Sequence, residues 1–92
     1  MNVIAQHQPT VIAQSLRDYI TQEIAYDRAN WVLTNDFKLI EQGIIDSMGI
    51  LRLISFIEEQ FGLVLSPGDL MLENFATIDA MTAFITDRLA IL

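Results

Sequence analysis

The chain of 92 residues has no cysteine, one histidine, one lysine and two prolines. The lack of cysteine removes disulfide scaffolds, thiolate metal sites and a cysteine nucleophile, and fits a reducing compartment. His7 stands in a polar stretch with no positioned partner, which leaves general-base catalysis unsupported. There is no glycine-rich phosphate loop and no His and carboxylate spacing of a metal site, so no metal ligands are expected. No apolar run approaches the roughly 18 residues that span a bilayer. The N-terminus has neither the basic start nor the apolar core of a signal peptide. The expected location is cytoplasmic, and an autonomous catalyst is not supported.

Positive charge is also scarce. Five basic residues against twelve acids leave a formal charge of -7. Such a surface repels phosphate backbones, so neither nucleic acid nor an anionic membrane is expected as partner, whereas a basic protein patch would be attracted. What is abundant is apolar material, 52% of the residues, enough for one core in a chain of this size without metal or disulfide support. A single monomeric domain over residues 9–92 is expected, behind a flexible leader at 1–8.

Pro9 suits a first helical turn, and Ile12, Leu16, Tyr19, Ile20 and Ile24 follow at spacings of three and four, which predicts a helix from Pro9 to Ala25. From Tyr26 to Asp46 the period fades among Asn30, Thr34, Asn35, Asp36 and Gly43. A connection of that length needs pinning, and Trp31, Val32, Leu33, Phe37, Leu39, Ile40, Ile44 and Ile45 are available for it, with Trp31 read as a lid over the core.

A second helix is predicted from Ser47 to Phe61, stopped by Gly62 in the left-handed conformation. At about 100° per residue, Ile50, Leu53, Ile54, Ile57 and Phe61 share its core face. Met48, Leu51, Arg52, Ser55, Phe56 and Glu59 lie on the other side, with more apolar surface than a face that meets only water. Glu58 and Glu59 diverge as neighbours on a helix and read as a solvated end.

Ser66-Pro67-Gly68-Asp69 has an N-cap serine, a first-turn proline and an acid at N3, the start of a short helix. Leu70, Met71, Leu72 and Phe75 then lay the chain over the bundle. Thr77 caps a last helix carrying Ile78, Met81, Ile85 and Leu89. Leu63-Val64-Leu65 is too short to support a sheet. These elements predict a small all-α bundle of three main helices plus a short one, with a long first connection.

One serine stands out. Ser47 lies where an irregular segment becomes a helix, and free N–H groups at a helix start favour a phosphate there. Taken alone the junction is read more simply as a cap by Asp46 or Ser47. No histidine or lysine close in sequence would activate the hydroxyl as a hydrolase nucleophile.

The run Leu39-Ile40-Glu41-Gln42-Gly43-Ile44-Ile45-Asp46-Ser47-Met48 resembles the attachment motif of the acyl and peptidyl carrier proteins, which centres on Asp-Ser-Leu or a close variant. The resemblance continues through Phe56-Ile57-Glu58-Glu59-Gln60-Phe61-Gly62, Asp69 to Phe75, and the closing helix to about Leu89. It implies a four-helix carrier bundle that is not an enzyme, with 4′-phosphopantetheine moved from coenzyme A to Ser47 by a magnesium-using phosphopantetheinyl transferase. The thiol of the arm would hold an acyl or aminoacyl group as a thioester. Asp46 would present the serine or contact the transferase, and Met48, Leu51, Arg52 and Ser55 would form the docking face.

Fatty acid synthase carriers usually place acids on the exposed side of the second helix just after the serine. Here those positions are Gly49 and Arg52. A less acidic face matches a basic ketosynthase patch less well, so the resemblance points to a discrete aminoacyl or peptidyl carrier of specialised metabolism, with chain ends close to the domain's. Its expected partners are an adenylating enzyme and a tailoring oxidase or condensing enzyme, and its cargo an amino acid such as proline. The alternatives are an acyl carrier for polyketide or fatty acyl groups, and a helical interaction module without a covalent arm.

Overall fold

The computed structural model describes residues 8–26 and 32–91. His7, residues 1–7 of the expected leader and the Trp31 lid lie outside the described residues. Gln8 belongs to the first helix as its N-cap, its carbonyl accepting from Ile12 N–H at 3.0 Å.

Helix α1 runs over Pro9–Tyr19 and continues into a π turn over Ile20–Ile24. Ala25 N–H closes that turn on Ile20 O at 2.7 Å. Helix α2 spans Ser47–Phe61 and α3 spans Ile78–Ala90, with 3₁₀ turns at Pro67–Asp69 and Leu72–Phe75 between them. No strand occurs among the described residues. The bundle is therefore all-α, with the expected short helix split into two turns. Leu70 and Met71 leave helical geometry between them.

Local chemistry sets most boundaries. Gly62, at φ 67°, adopts the left-handed conformation that lets its own N–H and that of Leu63 turn back onto Glu58 O. Thr77 Oγ1 accepts from Ala80 N–H at 2.9 Å and starts α3. Asp69 accepts from the N–H and the hydroxyl of Ser66 at 2.8 and 3.0 Å, closing the first 3₁₀ turn. Arg88 reaches the same carboxylate at 3.3 Å and donates to Val64 O, tying the end of α3 to this connection.

Leu16, Ile20, Leu53, Ile57, Ile78, Met81 and Ile85 are wholly buried at the centre. Each such side chain contributes roughly 1.5–3 kcal/mol by leaving water. Ile50 and Ile54 sit half-buried at the border of the α2 core face.

The first connection is pinned by Leu33, Leu39 and Ile45, all buried, and by polar bonds. Arg17 donates to Leu33 O at 3.2 Å and to Asn35 Oδ1. Leu39 N–H meets Ala76 O, and Asn35 O accepts from Asp79 N–H, both at 2.9 Å. Val32 does not pin it, being 81% exposed. Leu70, Met71 and Leu72 likewise stay exposed, so Phe75 alone of that group fills the core. Leu63 and Leu65 turn inward while Val64 faces out, in an extended run rather than a strand.

Candidate functional site

The approach to Ser47 is held from below. Ile44 and Ile45 N–H groups both donate to Leu39 O, at 2.9 and 3.2 Å, and the Ile45 side chain is sunk in the core. Gly43, at φ 75°, makes the bend that allows this. The chain therefore enters α2 along a defined path.

Asp46 caps the helix. Its Oδ1 accepts from Gly49 N–H and its carbonyl from Ile50 N–H, both at 2.9 Å. Ser47 thus falls at the first helical position, exposed, and its hydroxyl has no hydrogen-bond partner among the described residues. Of the two capping readings open to the sequence, the structure selects Asp46. That choice leaves the serine oxygen uncommitted at the positive end of the helix dipole.

Below Ser47 the outer side of α2 opens into a groove of about 330 Å³ lined by Tyr19, Met48, Leu51, Arg52, Ser55, Phe56 and Glu59. Four of the expected docking residues, Met48, Leu51, Arg52 and Ser55, are brought together in it, and Met48 and Leu51 are 66% and 58% exposed. Leu51 is one turn below Ser47 on the same face.

The groove wall from α1 was not legible from periodicity, which assigns Tyr19 to the core. Tyr19 stacks on Phe56 with centroids 4.2 Å apart and planes inclined by 18°, and its hydroxyl donates to Arg52 O at 3.4 Å. The π turn brings Glu23 to 3.8 Å from the Arg52 guanidinium.

Two readings need correction. The sequence places Gly49 with Arg52 on the exposed side of α2; Gly49 is buried instead, against Ile45 and Ile24. Its position at N3, one residue past the outward Met48, rotates it toward the core. Glu58 is not merely part of a solvated helix end: its carboxylate accepts from Leu65 N–H at 2.9 Å and fastens the chain leaving α2. Glu59 stays exposed on the groove.

The described residues hold no group of three His, Cys, Asp or Glu suited to a metal ion, and no helix long and apolar enough to cross a membrane. An exposed hydroxyl not used in capping, followed by an open groove, fits a covalently attached phosphate-linked arm.

A family model described as a phosphopantetheine attachment site matches residues 14–85, well over half of the chain. The chain belongs to this family of non-catalytic carriers, which hold 4′-phosphopantetheine covalently and meet a phosphopantetheinyl transferase and partner enzymes. No curated protein matches it.

Proposed function

We propose that Ser47 is the attachment point of 4′-phosphopantetheine, and that the chain carries an aminoacyl group, prolyl being one candidate, in cytoplasmic specialised-metabolite biosynthesis. The observation that carries the attachment is the exposed Ser47 hydroxyl, free because Asp46 supplies the cap. When bound, the arm supplies a thiol on which the cargo is held as a thioester.

Ser47 Oγ attacks the pantetheine-bearing phosphorus of coenzyme A and forms the new phosphodiester as the phosphoanhydride bond breaks and 3′,5′-adenosine diphosphate leaves, the hydroxyl proton passing to a base on the transferase, since no base of this chain contacts it among the described residues. Asp46 holds the helix start in place so that the oxygen is presented outward. Met48, Leu51, Arg52 and Ser55 form the face on which visiting enzymes rest, with a cationic group and two exposed apolar side chains. A single domain over residues 9–92 carries all of this.

One observation favours a second reading, an acyl carrier for polyketide or fatty acyl groups. Glu23 beside Arg52 offsets its charge, so the face is more acidic than α2 alone suggests.

The experiment incubates the protein with coenzyme A, magnesium and a broad-specificity phosphopantetheinyl transferase and takes an intact mass. The wild-type chain gains one arm and Ser47→Ala gains none. An arm on Ser47→Ala would refute the attachment point. Loading assays with adenylating enzymes, ATP and each amino acid then separate aminoacyl from acyl use.

A further inference from the structure

Two adjacent residues, Asp46 and Ser47, are both good helix caps, with similar intrinsic preference. Only one can serve, and the outcome decides whether the serine hydroxyl is available. We propose that Gly49 makes this choice: its bare Cα selects Asp46 as the cap of α2 and so acts as a positioning residue for Ser47. The inference rests on the reading of Ser47 as the attachment point.

In the observed register Gly49 is at N3 and gives its N–H to Asp46 Oδ1 at 2.9 Å, while Ile50 N–H meets Asp46 O. With Ser47 as cap, the helix would start one residue later, N3 would be Ile50, and Ile50 N–H would bond to Ser47 Oγ. Packing bears directly on the observed register. A Cβ on Gly49 would stand 3.1 Å from Ile45 Cγ2, 3.5 Å from Asp46 Oδ1 and 3.8 Å from Ile24 Cγ2.

Ile45 cannot yield cheaply. It is 2% exposed, its N–H is bonded to Leu39 O, and Ile24 of the π turn closes the far side. A side chain at position 49 therefore acts on Ile45 and on Asp46, the two residues that lead into Ser47. Pushing them off the first turn of α2 weakens the Asp46 cap and passes it to Ser47, whose oxygen then turns in toward the helix end.

The test uses the full chain, Gly49→Ala, and Gly49→Ala with Ile45→Leu, which removes the Cγ2 methyl. Loading by a broad-specificity transferase is followed by intact mass at varied carrier concentration, and the backbone amides are followed by NMR. In Gly49→Ala kcat/KM for the carrier falls roughly five- to tenfold, as the fraction of chains with a free hydroxyl falls by the strength of one cap. The Ile50 amide takes on the shift of a side-chain-capped N–H, and the double variant regains most of the rate.

Loading of Gly49→Ala at the wild-type kcat/KM would overturn the proposal, as would a double variant as slow as the single one. A measurement on the unmodified register guards against a variant that does not fold. Asp46→Asn must shift the Gly49 amide more than that of Ile50, and the reverse result overturns the proposal. A wild-type chain that gains no arm refutes the attachment reading itself, whatever the amides show.

Discussion

Replacing Asp46 by alanine removes the side-chain oxygen that accepts from Gly49 N–H at 2.9 Å and leaves one more unsatisfied donor in the first turn of α2. Loss of such a cap costs about 1 kcal/mol, within a range of roughly 0.5–2. The carboxylate also lies at the positive end of the helix dipole, worth about 0.3–1 kcal/mol for an acid in that position. Asp46→Ala loses both contributions. Asp46→Asn keeps the accepting oxygen and loses only the charge. For a domain of this size 1 kcal/mol moves the melting midpoint by roughly 4–8 °C. The expected losses are therefore up to about 5–16 °C for alanine, reduced by whatever Ser47 restores as the remaining cap, and about 1–8 °C for asparagine. Thermal and urea unfolding followed by helical circular dichroism measure both, with an unchanged urea slope showing that the folded state stays compact. Loading follows the same order: in Asp46→Ala the serine is the remaining cap and its hydroxyl is drawn into that bond, so transfer slows, while Asp46→Asn loads close to the wild-type rate. Equal loss of stability in the two variants would refute the capping account. Equal loss of loading with unequal loss of stability would assign Asp46 to transferase contact through its charge.

Three further outcomes are expected. Phe56→Leu loses the stacked contact with Tyr19 at 4.2 Å, a cost of roughly 0.5–1.5 kcal/mol in urea unfolding, whereas Tyr19→Phe keeps the rings together and stays within about 0.5 kcal/mol of the wild type. Arg52→Glu sets a second acid beside Glu23; both sites are about half exposed, so stability changes by less than about 1 kcal/mol, but loading by the cognate adenylating enzyme slows, and an unchanged rate would remove Arg52 from the docking face. The N–H and hydroxyl of Ser66, with Arg88 nearby, hold the Asp69 carboxyl below the ordinary aspartate range. The unfolded chain then binds the proton more readily than the folded one, so this stabilisation is present above about pH 4 and is lost as pH falls through the lower folded value. Asp69→Asn should flatten the fall in urea midpoint below about pH 4, and an unaltered acid slope would contradict the assignment.

The helices were readable because their signals are local. Pro9 opens α1, Gly62 ends α2 in a conformation that costs glycine nothing, and Thr77 caps α3, each through bonds spanning a few residues. The part of the groove that α2 supplies was readable for the same reason, since 48, 51, 52 and 55 share a side of any regular helix. Tyr19 and Glu23 escaped because their roles depend on how α1 lies against α2, which the period of either helix does not contain. The exposure of Val32 and of Leu70 to Leu72 was hidden likewise: apolar character marks residues that could be buried, and the competition for limited core volume decides which ones are.

A serine after an acid at a helix start was visible in the sequence alone, and so was the run of carrier-like residues around it, which the family model matches. Which of the two residues caps the helix was decided only in three dimensions. Asp46 and Ser47 are near equals as caps, so local preference cannot separate them. The balance is tipped by Ile45, buried beneath the first turn, and by the space that Gly49 leaves for it. Close packing transmits that small difference to the serine, because a filled core has no slack to absorb a displaced methyl group.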